Sequence, residues 1–235
     1  MENKVCMVTG VGEGNGRSIS QRFAREGFRV AMLARSKDRL DQFEQEISGT
    51  KGFVCDVTSE ASMRETVQQV RQELGPIDTF VHNAGSGMFG DFQSVTVKDM
   101  EDAWRTNTIG LLVLGQAAVE DMLSAGSGNI MVIGATSALR GGAGFAAFAS
   151  AKSAQRSLAQ SMARSLGPKG VHVSYVVIDG MIDIPRVRQM DFAKGMADDA
   201  FLKPDEIADS VWFLTQQPKS TWTFELDIRP HRETW

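Results

Sequence analysis

A cluster of glycines near the N-terminus is the first group of residues with a clear chemical use. The glycines are Gly10, Gly12, Gly14 and Gly16, and the polar residues Glu13 and Asn15 stand between them. They follow an apolar run at residues 5–8, typical of a strand buried in a parallel sheet, and precede a helical pattern at residues 17–24. Glycines let the backbone approach a diphosphate closely, and free N–H groups at a helix N-terminus attract its charge. The segment therefore predicts a nucleotide-binding turn.

Strands and helices alternate along the rest of the chain, which is typical of a parallel sheet with helices on both faces. The strands are predicted at residues 5–8, 28–34, 53–55, 77–82, 129–133, 171–178 and 223–228. The helices are predicted at residues 17–24, 38–47, 58–74, 97–123, 144–166 and 204–215. We therefore predict an α/β fold with a Rossmann-like, doubly wound, seven-stranded parallel sheet in a single domain over residues 1–235. Residues 181–203 break the apolar rhythm and are predicted to form a lid over the site.

Composition and charge argue against several classes of function. A net charge of −4 gives no reason to expect nucleic acid or an acidic membrane as a partner. We expect no apolar stretch long enough to cross a membrane, and the N-terminus lacks the layout of a signal peptide. Cys6 and Cys55 fall in predicted buried strands, which indicates a reduced, cytoplasmic protein. No residues occur at metal-ligand spacing, so we expect no metal site.

Several short motifs occur together in the order and spacing of one known family. They are Thr9-Gly10-x-x-x-Gly14-x-Gly16, Asp56-Val57, Asn83-Ala84-Gly85, Asn107 and Lys152. On these residues the chain resembles the short-chain dehydrogenase/reductase superfamily from Lys4 to about Ile228. The resemblance implies hydride transfer between a nicotinamide cofactor and a carbonyl or alcohol carbon of a small molecule. It also implies that the first three motifs bind the cofactor, with Asp56 and Val57 at its adenine, and that Asn107 and Lys152 belong to the catalytic set.

The chain departs from this family at the residues that handle the proton. The family uses a tyrosine as acid/base, with its pKa lowered by the neighbouring lysine, and a serine that polarises the carbonyl. The aligned positions hold Phe148 and Ala135. Lys152 is retained, and in this family the lysine also grips the ribose hydroxyls of the cofactor. Two hypotheses follow: an oxidoreductase with a non-standard proton donor, or a weak or inactive homologue that binds the cofactor as a sensor or partner subunit.

Three residues are candidates to replace the missing groups. Thr136 and Ser137 follow Ala135, and either hydroxyl could polarise a carbonyl if the loop bulges, although a hydrogen-bonding role in the loop is favoured. An aliphatic hydroxyl is too weak an acid to replace a phenol without a base beside it. His82 titrates in the useful range at the end of a strand, but a structural hydrogen bond is favoured there too.

The end of the second predicted strand decides between NADP(H) and NAD(H). An acidic residue there would bind the ribose hydroxyls and repel a 2′-phosphate, but the sequence reads Ala34-Arg35-Ser36. Arg35 can donate a bidentate pair of hydrogen bonds to a phosphate, and Ser36 can donate a further hydrogen bond to it. Glu13 argues the other way, because many NADP-using relatives carry a basic residue there. We favour NADP(H).

The loop after the sixth predicted strand completes the expected site. The family's Pro-Gly is Asp179-Gly180 here, and its cofactor-contacting threonine aligns with Ile184. By the same resemblance, Gly180 and Ile182 are expected to contact the cofactor. Apolar residues of the lid and of residues 141–148 favour a hydrophobic substrate. The two long helices, at 97–123 and 144–166, pack across two-fold axes in relatives, which implies a homodimer or homotetramer.

Overall fold

A computed structural model describes residues 4–233, and its centre is a parallel sheet of seven strands. These strands are β1 (Val5–Thr9), β2 (Arg29–Ala34), β3 (Thr50–Val54), β4 (Ile77–His82), β5 (Gly128–Ile133), β6 (Val171–Ile178) and β9 (Glu225–Ile228). Their order across the sheet is β3-β2-β1-β4-β5-β6-β9, and every neighbouring pair is parallel. The predicted doubly wound α/β fold in one domain is therefore confirmed.

Helices cover both faces of the sheet because its strands are apolar on both sides. The helices are α1 (Asn15–Arg25), α2 (Lys37–Glu46), α3 (Glu60–Leu74), α4 (Val97–Trp104), α5 (Gly110–Ala125), α6 (Ala146–Leu166), α7 (Pro185–Arg188) and α8 (Pro204–Thr215). In β1, Val5 and Met7 pack into the core under α3, α5 and α6, whereas Cys6 and Val8 pack into the core under α1, α2 and α8. All residues of β6 are buried, as expected for an inner strand between two helical layers.

Two elements differ from the sequence prediction by more than one or two residues at an end. The third strand is Thr50–Val54 rather than 53–55, because Thr50 and Lys51 pair with β2 although they are only half-buried. The predicted long helix at 97–123 is interrupted by a π-helical turn, Arg105–Ile109, and ends later, at Ala125. Such single wider turns often occur at functional sites. This one carries Asn107, whose side chain is fully buried.

The segment at 181–203, which we call the lid, has more local structure than its sequence indicated. It begins with β7 (Met181–Ile182) and ends with β8 (Phe201–Leu202), and these two short strands pair in parallel. Ion pairs hold the turns between them: Arg188 contacts Asp183 and Asp198 at 2.6 and 2.9 Å. The lid is therefore anchored at both ends.

The helical stretch Val97–Ala125 corrects the expectation about membranes. Within the described residues it is the one helix that is long and apolar enough, by length and composition alone, to cross a membrane. Half of its most apolar stretch of 18 residues is buried inside the fold. A core helix of a globular protein can be equally long and apolar.

Candidate functional site

The carboxyl ends of β1 and β4 are joined to each other beneath the glycine turn. Thr9 Oγ1 accepts hydrogen bonds from the backbone N–H groups of Asn83 and Ala84, both at 3.2 Å, and Asn83 Nδ2 donates to Gly10 O at 2.9 Å. Gly10 has φ +66°, and a Cβ built on it would lie 2.6 Å from Ala84 Cα. Only glycine fits at this crossing, so the turn and the Asn83–Gly85 element form one rigid edge.

The N-terminus of α1 is open toward the cleft above this edge. Its capping residue, Gly14, supplies no side-chain hydrogen bond, and the buried Asn15 Oδ1 has no partner among the described residues. A Cβ built on Gly12 would meet nothing within 4 Å. N–H groups without a side-chain cap and open space beside a glycine fit a diphosphate.

A first cavity, of about 510 Å³, lies on one side of the glycine turn. Its walls include Ala34, Arg35, Ser36, Arg39, Asp56 and Val57. Ser36 also caps α2 by accepting a hydrogen bond from the Arg39 N–H at 3.4 Å, so its hydroxyl has a local partner. The Asp56 carboxylate accepts hydrogen bonds from the N–H and hydroxyl of Thr58, which lower its pKa. Two guanidinium groups in this wall can bind a phosphate.

A second cavity, of about 740 Å³, lies on the other side and contains the positions predicted to be catalytic. Those in its wall are Ala135, Thr136, Ser137, Phe148 and Lys152, with Asn15, Asn83, Gly180 and Ile182 from the predicted cofactor set. The two cavities share Gly85, Ser86, Gly87 and Arg186 in their walls. They therefore meet, and form one elongated cleft across the carboxyl edge of the sheet, where such sheets bind ligands.

Lys152 is held from within the protein by a buried amide that the sequence analysis missed. Its Nζ donates to Ile133 O at 2.9 Å and to Gln155 Oε1 at 3.1 Å. Gln155 Nε2 in turn donates to the backbone carbonyl of Asn107 at 2.8 Å. Burial lowers the pKa of Lys152 to about 7. Two of the three ammonium protons are used internally, so one remains for the cavity.

Asn107 has no side-chain atom in either cavity wall, but it lies directly behind one. Its Nδ2 donates to Ala103 O at 2.8 Å and to Ser86 Oγ at 3.3 Å, while its buried Oδ1 has no partner among the described residues. A Cβ built on Gly85 would lie 3.3 Å from that oxygen and 3.7 Å from Lys152 Nζ. The small residue at 85 therefore leaves Asn107 and Lys152 close to the cleft.

The hydroxyl of Thr136 has a base beside it. Thr136 Oγ1 donates to Asp179 Oδ1 at 2.7 Å, and the other oxygen of that nearly buried carboxylate pairs with Arg229 at 3.1 Å. The proton of Thr136 therefore points away from the cavity. Ser137 lies in the cavity wall and has no hydrogen-bond partner in the part of the chain that the structure describes.

The remaining candidate, His82, and the single tyrosine of the chain, Tyr175, are built into the core. His82 is fully buried, with Nδ1 3.4 Å from Thr9 Oγ1 and Nε2 without a partner among the described residues. Burial first, and then the charge of Lys152, lower the pKa of His82 to about 3. Burial raises the pKa of Tyr175, whose hydroxyl lies 3.4 Å from Gln155 Oε1. Both rings therefore stay neutral over the ordinary pH range.

Three predicted cofactor residues lie outside the walls of both cavities. Glu13 is exposed, Gly16 packs against the backbone of Gly10 and Val11, and Gly14 faces the lid. Conversely, the sequence analysis missed Arg39, Arg186 and the aromatic residue Phe89. Arg39 lies four residues after Arg35, and the presence of two arginines around the end of the second strand was a usable signal. The lid prediction covered Arg186 without singling it out, and nothing in the sequence pattern brings Phe89 to the cleft.

Comparison with known proteins identifies the family to which this fold and cleft belong. The model of the short chain dehydrogenase family matches residues 4–191. The chain therefore belongs to the short-chain dehydrogenase family.

Among the relatives of this chain, the 3-oxoacyl-(acyl-carrier-protein) reductase of Mus musculus is 30% identical over 223 residues, which cover 93% of this chain and 94% of that protein. A short-chain dehydrogenase from Rhodopseudomonas palustris is 33% identical and has a TM-score of 0.83, covering 98% of this chain and 100% of that one. An alcohol dehydrogenase from the archaeon Thermococcus sibiricus, solved with 5-hydroxy-NADP, is 26% identical with a TM-score of 0.86 and covers 98% of each chain.

Proposed function

We propose that the protein is an NADP(H)-dependent oxidoreductase that transfers a hydride between nicotinamide and a small, apolar carbonyl or alcohol substrate. The observation that carries this proposal is the continuous cleft. It runs from the wall of the first cavity, which contains Arg35, past the N-terminus of α1, which has no side-chain cap, to Lys152 and Phe148. Its two halves suit the two halves of a dinucleotide. One similar enzyme is named as a reductase and another was solved with an NADP derivative, which supports the same reading.

The residues of the cleft fit the parts of this cofactor. Arg35 and Arg39 would bind the 2′-phosphate, and Asp56 and Val57 would flank the adenine. The glycine turn and the N-terminus of α1 would hold the diphosphate, with Asn83, Ala84 and Gly85 beside it. Lys152 would bind the nicotinamide ribose, and Gly180 and Ile182 would line the nicotinamide. When bound, the cofactor supplies the hydride or accepts it.

The proton of this reaction would come from a non-standard source. Phe148 and Ala135 take the places of the family's tyrosine and serine and present only carbon atoms to the cavity. Thr136 directs its proton to Asp179, and His82 is neutral and buried, so neither replaces the phenol. Lys152 with its lowered pKa and solvent are the remaining proton sources, and the hydroxyl of Ser137 could donate a hydrogen bond to the carbonyl. Asn107 would position the part of the cleft that contains Ser86 and Lys152, since its side chain donates a hydrogen bond to Ser86.

The relatives named above are dehydrogenases and reductases, which favours turnover over the alternative of an inactive sensor or partner subunit; Phe148 and Ala135 are the features on which that alternative rests. We also expect a cytoplasmic protein, since the two free cysteines are buried and need no oxidising compartment. Self-association as a homodimer or homotetramer is part of the same proposal.

Isotope transfer tests the proposal. The protein is incubated with NADPH carrying deuterium at C4 of the nicotinamide and with a panel of apolar aldehydes, ketones and diketones. Mass spectrometry then follows the label, while fluorescence titration reports NADPH binding separately. We expect deuterium on the product carbon for at least one substrate. Tight NADPH binding without label transfer to any acceptor would restore the sensor alternative, and absence of NADPH binding would refute the proposal.

A further inference from the structure

The amine of Lys152 is oriented by two acceptors that lie inside the fold. The carbonyl oxygen of Ile133 lies 2.9 Å from Nζ, and Gln155 Oε1 lies 3.1 Å from it. Among the described residues, no acidic side chain pairs with this amine. Phe148, whose ring centroid is 5.9 Å from Nζ, presents only carbon atoms. One of the three positions on this nitrogen therefore has no partner in the described part of the chain, and Lys152 lies in the wall of the second cavity.

The amide of Gln155 has one favourable orientation. It is fully buried, and its Nε2 donates to the backbone carbonyl of Asn107 in the π-helical turn at 2.8 Å. The hydroxyl of Tyr175 donates to Oε1 at 3.4 Å. A flipped amide would place its N–H groups against the ammonium of Lys152 and its oxygen against a carbonyl oxygen, so both hydrogen bonds would be lost. Oε1 is therefore a fixed acceptor for Lys152.

Both protonation states of Lys152 can keep these two hydrogen bonds. The ammonium has three N–H groups, whereas the neutral amine has two N–H groups and one lone pair. The oxygens of Ile133 and Gln155 only accept, so they take both N–H groups of the neutral amine. The third position then holds a proton in the charged form and the lone pair in the neutral form. Gly85 leaves this position open, because a Cβ built there would lie 3.7 Å from Nζ.

We propose that Gln155 is a positioning residue, which orients Lys152 as the general acid of the reaction with its exchangeable proton facing the second cavity; this inference rests on the function proposed above. During reduction the carbonyl carbon gains a hydrogen with both electrons of the nicotinamide C4–H bond, which breaks, so that the nicotinamide is oxidised. The π electrons of the carbonyl group move to its oxygen, which takes a proton from Lys152 directly or through one water molecule. The electrons of the broken N–H bond stay on Nζ, and solvent later returns a proton to it.

The ionisable groups around Lys152 leave this lysine to titrate near neutral pH. Burial alone lowers its pKa to about 7, and a donor with a pKa near the working pH is the most effective general acid. On β4, His82 has a pKa lowered to about 3, and on β6 burial raises the pKa of Tyr175, so both rings are neutral. After β6, Asp179 pairs with Arg229.

The first measurement follows the protonation of Lys152 without cofactor. In protein that carries ¹³C-labelled lysine, NMR gives the pKa of each lysine, and the signal that Lys152→Met removes is that of Lys152. Gln155→Met keeps the size of the side chain but removes an acceptor from the ammonium, so we expect the pKa of Lys152 to fall. Gln155→Glu places a carboxylate beside Nζ, so we expect that pKa to rise by about 1–3.

Gln160 provides the matched control. It lies on the same helix, is half-buried, and is outside the walls of both cavities. Gln160→Met and Gln160→Glu make the same chemical changes away from the amine, and we expect both to leave the pKa of Lys152 unchanged. Circular dichroism checks that the variants are folded. The two Gln155 variants have opposite expected directions, so either one alone tests the inference if the other does not fold.

The second measurement is the pH profile of ketone reduction at saturating NADPH. We expect the rate to fall as pH rises through the pKa of Lys152, because the acid loses its proton. The midpoint of this fall should move down in Gln155→Met and up in Gln155→Glu, by the same amount as the pKa. A lysine that only binds the ribose would change the affinity for NADPH, measured by fluorescence, and leave the midpoint in place.

The outcomes separate this inference from the proposed function. A midpoint that does not follow the pKa of Lys152 would overturn the inference while leaving the oxidoreductase proposal intact. A pKa that neither Gln155 variant moves would do the same. Absence of NADPH binding, or of reduction of any acceptor at any pH, would refute the proposed function and with it the acid role of Lys152.

Discussion

Adding the two polar groups that the family resemblance places at positions 148 and 135 is the sharpest test of how this cleft handles a proton. Phe148→Tyr adds a phenol one helical turn before Lys152, whose Nζ lies 5.9 Å from the centroid of the Phe148 ring. Ala135→Ser adds a hydroxyl to the same cavity wall. Both substitutions add a single oxygen at a site that borders open space, so neither requires the core to repack.

The expected effect follows from charge and distance. The 5.9 Å from Lys152 Nζ to the ring centroid sets the scale of the separation, although the phenolate charge would lie on the ring oxygen. Two unit charges at that distance interact by about 3 kcal/mol at an effective dielectric constant of about 20, which corresponds to a shift of ~2 pKa units. A phenol with an ordinary pKa of about 10 would then titrate near ~8 while Lys152 is charged. A positioned general acid contributes roughly 10²–10⁴-fold to a rate, and a hydrogen-bond donor to a developing oxyanion contributes about 10²–10³-fold.

The assay is NADPH absorbance decay with a ketone for wild type, the two single variants and the double variant. We expect the double variant to reduce the ketone at least ~100-fold faster than wild type, with each single variant in between. Because the pKa of Lys152 is about 7, the gain from Phe148→Tyr should be larger below pH 7, where the ammonium is charged. A wild type that already reduces the ketone at ordinary enzyme rates, and that Phe148→Tyr slows, would show that this reasoning is wrong.

Three further expectations concern the cofactor, the stability and the assembly. Arg35→Ala should weaken NADPH binding by about 1.5–3 kcal/mol and leave NADH binding nearly unchanged. Fluorescence titration measures both affinities, with Arg25→Ala, at an exposed arginine, as the control. Equal losses of affinity for both cofactors would contradict a contact with the 2′-phosphate. Burial lowers the pKa of Lys152 from 10.5 to about 7, so the folded protein binds fewer protons than the unfolded chain between these values, and the free energy of unfolding should fall as pH decreases from 10.5 to 7. Lys152→Met should remove that slope in urea denaturation, and an unchanged slope would exclude Lys152 as its source. On α4, Trp104 is 47% exposed and Met100 is 37% exposed, and we expect both to lie in a subunit interface. Trp104→Glu should then lower the mass of the protein measured by light scattering at micromolar concentration. A monomeric wild type would refute this expectation.

The sequence was sufficient for the order of elements because each strand and helix carries its own pattern. The buried run in β6 and the i, i+4 pair Ile19 and Phe23 in α1 are local signals that survive folding. The π-helical turn could not be predicted, because it arises where Asn107 bonds to Ala103 and Gln155 bonds to the Asn107 carbonyl. The second of these contacts joins residues 48 positions apart in the chain.

The candidate site was predictable only where a motif defines both position and role. In the structure the glycine turn, the Asn83–Gly85 edge and the wall that contains Arg35 lie along one cleft, whereas Glu13, Gly14 and Gly16 lie outside the walls of both cavities. Their roles in cofactor binding stay predictions. Gln155 was missed because a glutamine in a helix normally faces solvent. Its amide is instead the buried link between Lys152 and the π-helical turn, a role that depends on three-dimensional packing alone.

The position of the lid has a kinetic consequence. A methyl group built on Gly14 would lie 2.9 Å from Ile184 Cγ2, so the lid rests directly on the glycine turn. Ion pairs of Asp183 with Arg188 and Lys203 brace the lid internally. A dinucleotide that approached from this side would have to displace Ile184, and the same movement would be needed for its release. Opening of the lid would then set an upper limit on the rate of each cycle, which a variant with faster hydride transfer would reach.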